Sequence, residues 1–185
     1  MTNPSMKMGY VAYNLGGGAV DVYGGSMAMF IEGEVQQIDY PKAAIKSSKS
    51  GLAKDILHHV LTIRNPITYN SKINTREVII QDMTCSVQST DPVEVYLLLR
   101  EDLATGTHNF TQKYGRIVLE STVTGTFDKS TISPIVAMTL APNGSQQFDL
   151  TKYKIVLSAN KRLSIALFST NSIDNHAVAF TWKID

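Results

Sequence analysis

The chain has 185 residues, a formal net charge of +1, and only 18% charged against 43% hydrophobic residues. That length suits one domain with an extension, or two small ones, and a chain this close to neutral lacks the basic excess of a nucleic-acid binder. Its single cysteine excludes an internal disulfide, and the sequence carries neither an apolar run of membrane-spanning length nor a recognisable secretory signal.

Residues 1–57 read as an N-terminal arm and linker. Gly16-Gly17-Gly18 and Gly24-Gly25 punctuate short apolar pieces, and glycines at this density make ordering entropically costly. Tyr10, Tyr13, Tyr23 and Phe30 supply apolar anchors, so the segment is either an arm lying on another surface or a first hairpin of the sheet that follows. Lys42, Lys46, Lys49 and Lys54 come without an acid until Asp55, and serines interleave with them. Without aromatics to stack on bases, this stretch reads as a solvated linker.

A strand pattern begins at His58 and persists through a β-sandwich domain over 58–185. Leu61 and Ile63 share one face, and Asn65-Pro66 ends the run. Residues 76–100 show the strongest signal. Ile79, Met83, Cys85 and Val87 fall on one parity, and Val93, Val95, Leu97 and Leu99 on one parity of the following run. This is the period of a strand with one buried face. Ser89-Thr90-Asp91-Pro92 between them predicts a hairpin turn. Residues 101–114 read as a polar loop, and 116–124 alternate with Ile117, Leu119 and Val123 opposite Arg116, Glu120 and Thr122. Pro134 to Leu140 is apolar on both parities, as for a strand buried on both sides or one covering a subunit contact; Val136 and Met138 are its interface candidates. Leu163, Ile165 and Leu167 mark one further strand, and Val178, Phe180, Trp182 and Ile184 the last. About eight strands with no strand–helix–strand alternation predict an all-β fold, a jelly-roll-like antiparallel β-sandwich with a Gly-rich arm.

The reactive side chains form no recognised pattern. His58 and His59 are adjacent, so on a strand they point to opposite faces and do not converge on a metal; His108 and His176 stand far off in sequence. Glu94, Glu101, Asp102 and Glu120 are scattered acids whose default is a solvated surface. Cys85 on the apolar parity reads as a buried small hydrophobe, Asp82 as exposed, and Trp182 as core. No phosphate loop, nucleophile elbow or metal-ligand spacing is present. The residues point to no cofactor and no metal, and an enzyme stays open only through acid pairs that form in three dimensions.

Residues 60–70 (Val60-Leu61-Thr62-Ile63-Arg64-Asn65-Pro66-Ile67-Thr68-Tyr69-Asn70), the strand 78–87 and the closing Val178-Ala179-Phe180-Thr181-Trp182-Lys183-Ile184-Asp185 resemble tailed-bacteriophage virion proteins of the capsid decoration or head auxiliary type. The likeness covers roughly 58–185. It implies a structural subunit of the virion, assembled in the host cytoplasm. Its partners would be the major capsid protein, other virion proteins and copies of itself, with no nucleic acid and no membrane. A carbohydrate- or receptor-binding module of a tail or fibre is the alternative, with Tyr69, Tyr96 and Tyr114 as candidate sugar platforms.

Overall fold

The computed structural model describes residues 42–48, 51–114, 118–121 and 124–184. They belong to a compact unit spanning Ile38–Asp185. The strands, in chain order, are β1 (Lys42–Ser48), β2 (Leu57–Arg64), β3 (Thr68–Tyr69), β4 (Lys72–Ile73), β5 (Val78–Ser89), β6 (Val93–Leu99), β7 (Phe110–Tyr114), β8 (Val118–Ser121), β9 (Thr126–Phe127), β10 (Pro134–Leu140), β11 (Ser145–Asp149), β12 (Val156–Leu157), β13 (Arg162–Phe168) and β14 (Ile173–Ile184). One sheet runs β1-β14-β5-β11, with β12 also on β5; the other runs β10-β6-β13-β2-β8-β7, with β9 also on β2. All pairings are antiparallel.

Eight strands form the frame, four in each sheet: β1, β14, β5 and β11 facing β10, β6, β13 and β2. The chain crosses between sheets at every step along this frame except from β6 to β10, which are neighbours in one sheet. That is the connectivity of a jelly roll. The inward rows meet in a single core that includes Leu61, Ile63, Met83, Cys85, Leu97, Leu163, Ile165, Val178, Phe180 and Trp182. Each residue in this set is at most 1% exposed. Cys85 and Trp182 lie where the alternation put them.

Several details differ from the sequence reading: Phe110–Tyr114, inside the expected polar loop, is strand β7 paired with β8, and four further differences concern pairing and facing. Lys42–Ser48, assigned there to the linker, is a strand paired along its whole length with β14; its pairing partner lies more than a hundred residues away, so no local pattern announces it. The 76–100 segment is not a hairpin. β5 and β6 belong to opposite sheets, and Ser89-Thr90-Asp91-Pro92 turns the corner between them. Side chains stitch this corner to residues 169–172: Asn171 Nδ2 donates to Thr90 Oγ1 (2.8 Å) and Ser89 Oγ to the Ser172 carbonyl (3.2 Å). A corner and a hairpin use the same turn residues, and only the pairing separates them. In β5, Asp82 pairs with Thr181 but Ile80 with Trp182, so Gln81 is an extra residue, a β-bulge. The bulge switches parity: Val78 and Ile80 are buried on one side of it, Met83, Cys85 and Val87 on the other, and Ile79 faces outward, half-buried. Finally, Glu120 is 8% exposed and Leu119 only half-buried, the reverse of the predicted parity. Glu120 pairs with the core residue Ile63 and so follows its facing.

Between β6 and β10, β7 and β8 extend the second sheet, and other described residues form a further layer on it. Phe127 packs with Leu57, Leu98 and Ala166 on the outer face of the second sheet, and Leu103 and Ile132 join from the same segment. This is why β13 is buried on both faces, Ser164 and Ala166 included. Lys129 fastens the segment down: its Nζ lies 2.6 Å from Glu94 Oε2 and 3.5 Å from the Phe168 ring centroid.

Candidate functional site

Beneath that layer His59, Thr62, His108, Ser121 and Ser164 bring imidazoles and hydroxyls together. His59 Nε2 shares a hydrogen bond with Thr62 Oγ1 (2.7 Å), and Thr62 Oγ1 with Ser164 Oγ (2.6 Å). The His108 ring sits edge-on to His59, with centroids 5.3 Å apart, and its Nδ1 is 3.1 Å from Ser121 Oγ. Burial first, then the nearby Arg162, push the His108 imidazole down to about 4. A histidine bonded to a hydroxyl chain is the raw material of nucleophilic catalysis. Here His59, Thr62 and Ser164 are each at most 2% exposed, so a substrate cannot reach Ser164 Oγ while the layer is in place. The chain of hydroxyls instead satisfies polar groups that the layer buries. His58 points the other way, its Nε2 bonded to the Ala53 carbonyl at 2.9 Å, as adjacent strand positions require.

The four acids do not gather at one site. Glu94 is held by Lys129 and by the Tyr96 hydroxyl, Asp102 by Arg162, and Glu101 Oε1 accepts from the Ser133 amide at 3.3 Å; Glu120 faces inward. Among the described residues, no group of three or more His, Cys, Asp or Glu side chains is placed to hold a metal.

An open cleft of about 700 Å³ lies at the end of β2, lined by Arg64, Pro66, Ile67, Thr68, Tyr69, Asn70 and Leu119. Its wall is the small β3–β4 hairpin. Asn70 and Ser71, with φ of 50° and 61°, make its turn, a conformation that asparagine tolerates better than most side chains. Two buried asparagines hold the hairpin's base. Asn65 Nδ2 donates to the carbonyls of Arg76 (2.8 Å) and Leu157 (2.7 Å). Asn74 Nδ2 donates to Asn65 Oδ1 (2.6 Å) and to the Pro66 carbonyl (2.9 Å). The clamp projects Ile67 and Ile73 into solvent, 55% and 80% exposed.

Arg64 forms the cleft's charged side. Its guanidinium lies 3.9 Å over the Phe110 ring, and its cross-strand partner is another cation, Arg162. Burial, then Arg162, lower the Arg64 pKa. Arg162 is well occupied, with bonds to the Arg100 and Glu101 carbonyls and to Asp102. Arg64 has no carboxylate partner among the described residues, and its buried Nε has no hydrogen bond.

Of the residues proposed from sequence, Tyr69 is half-buried in this cleft, while Tyr96 is half-buried on the outer face of the second sheet. Val136 and Met138 are half-buried and turned toward the main core; the outward positions of β10 are Ile135, Ala137 and Thr139. Tyr10, Tyr13, Tyr23 and Phe30 lie outside the described residues, as does the Tyr114 side chain. Arg64 was missed. An arginine ending an apolar strand just before Asn-Pro is a weak signal, and its importance comes from Arg162 and Phe110, both distant in sequence. Comparison with known proteins found no matching family, no similar curated protein and no similar solved structure.

Proposed function

We propose that this chain is a non-catalytic virion structural subunit, of the capsid decoration or head auxiliary kind, that holds to its neighbours by burying surface. The observation that carries the reading is the edge of β10 that no described strand covers. This seven-residue strand pairs with β6 on one side and with no described strand on the other. It carries no charge, and Ile135, 36% exposed, stands on its outward face. Sheet edges are normally blunted by lysines, prolines or bulges, because a bare edge recruits another strand. Among the described residues, protection here is confined to Pro134 and the irregularity beside Val136, leaving 136–140 regular. Two-fold pairing of this edge with a second copy is self-complementary. It contributes only part of the roughly 1,600 Å² of a stable interface, so the part of the N-terminal arm that precedes the compact unit, residues 1–37, is assigned the remainder.

Light scattering on the full chain tests this, alone and with capsid shells. Oligomers are expected, and Ala137→Lys, an exposed change, should shift them toward monomer. A chain that is monomeric at every concentration, or an A137K variant that assembles unchanged, refutes the reading. Removal of 1–37 should preserve the sandwich and weaken assembly; removal of 1–50 also takes away β1 and should destabilise the fold.

A second reading, a carbohydrate- or receptor-binding module, is favoured by the cleft of Arg64 and Tyr69.

A further inference from the structure

We propose that the cleft between β2 and the β3–β4 hairpin is a site for an acidic saccharide, with Arg64 on the sugar carboxylate and Tyr69 against the ring. This rests on the second reading above and names its ligand class.

The charge argument comes first. A partly desolvated guanidinium is costly unless an anion or hydrogen bonds compensate. Arg64 stands beside Arg162 and lacks a described carboxylate partner. Phe110 covers one face of the guanidinium; stacking does not use the in-plane N–H groups through which arginine pairs with carboxylates, and with Nε buried the pairing falls to the two Nη groups. An arriving carboxylate therefore relieves an existing electrostatic deficit without having to displace a resident ion pair.

Shape and chemistry narrow the class. The volume, about 700 Å³, falls within the roughly 300–1,000 Å³ of small-ligand clefts, and the cleft is open, so a chain can enter by its end. Thr68, Tyr69 and Asn70 line the cleft, bringing a hydroxyl, an aromatic ring and an amide, the kinds of group that read sugar rings and their hydroxyls. An acidic peptide fits less well. Peptides add to sheet edges through their backbone, and the β3–β4 ladder is only two residues long. The asparagine clamp fixes the hairpin in advance, which reduces the ordering cost of binding.

The test is calorimetric titration of the full chain with oligogalacturonate and with its methyl ester, which keeps the ring and removes the charge. The acid form should bind at least about tenfold more tightly, the ratio set by one charge-assisted hydrogen bond. Arg64→Gln should abolish that preference, and so should Asn70→Asp, which adds a repelling charge on an exposed turn and leaves the core untouched. Tyr69→Ala should weaken both forms. Equal affinity for acid and ester overturns the acidic assignment but leaves a saccharide site standing. Binding of neither overturns both. Oligoglutamate binding as tightly as oligogalacturonate overturns the saccharide assignment.

Discussion

Asn65→Ala is the sharpest test of how the cleft is built. Asn65 is completely buried, and its side chain makes three hydrogen bonds, of 2.8, 2.7 and 2.6 Å. Their loss is unequal in cost. The Arg76 carbonyl is partly exposed and can turn to water, and Asn74 keeps its bond to the Pro66 carbonyl. The Leu157 carbonyl is buried and loses this donor. A buried group left unsatisfied costs about 1–3 kcal/mol, so with a smaller contribution from Asn74 the variant should lose about 2–4 kcal/mol. At about 2–4 °C per kcal/mol for a chain of this size, melting should fall by roughly 5–15 °C. Trp182 is the chain's single tryptophan and sits in the main core, so its fluorescence in urea reports global unfolding. Asn74→Ala should cost a similar amount, and the double variant clearly less than the sum, because the two residues share a bond. A loss below about 0.5 kcal/mol, within the range of ordinary surface substitutions, or strict additivity would refute the clamp. Ligand binding in the cleft should weaken in parallel, since both asparagines hold its wall.

Burial alone pushes the Cys85 thiol up to about 12, so iodoacetamide at pH 8 should label it only after denaturation; prompt labelling of the native chain would contradict the core assignment. His108 is held down at about 4 against an ordinary 6.5, so on acidification the unfolded chain takes up this proton first. The stability tied to neutral His108 is complete above about pH 7 and falls away from about 6.5 toward 4. The urea midpoint should drop over that range, with a shallower slope in His108→Gln; parallel slopes would refute it. Gly125→Ala places a Cβ 2.5 Å from the Thr105 carbonyl oxygen and 2.9 Å from Leu103 Cδ1. Because the closest atom is backbone, it should cost about 1–3 kcal/mol and raise hydrogen exchange across residues 103–108, whereas unchanged exchange would show the outer layer to be slack there.

The strands with the cleanest alternation were legible from local pattern. β6, β13 and β14 carry Val95, Leu97, Leu163, Ile165, Val178, Phe180 and Trp182 on one parity, and all of them are buried. That pattern is local, since it comes from the pleat of a single strand. The class of fold follows from it, as does the burial of Cys85. Pairing and facing are not local. β1 and β11 have little apolar periodicity and are strands because β14 and β5 lie beside them. One bulge at Gln81 reverses the parity that Ile79 had implied, and the same turn residues at 89–92 serve for a corner where a hairpin was expected. The cleft is the extreme case. Arg64 and Tyr69 share one stretch with most of the cleft's lining, but Phe110 and Arg162, which set the environment of Arg64, lie far along the chain, and Arg64 reads alone as an ordinary strand residue. Only when the sheets close does a like charge stand beside Arg64 with no described acid to balance it.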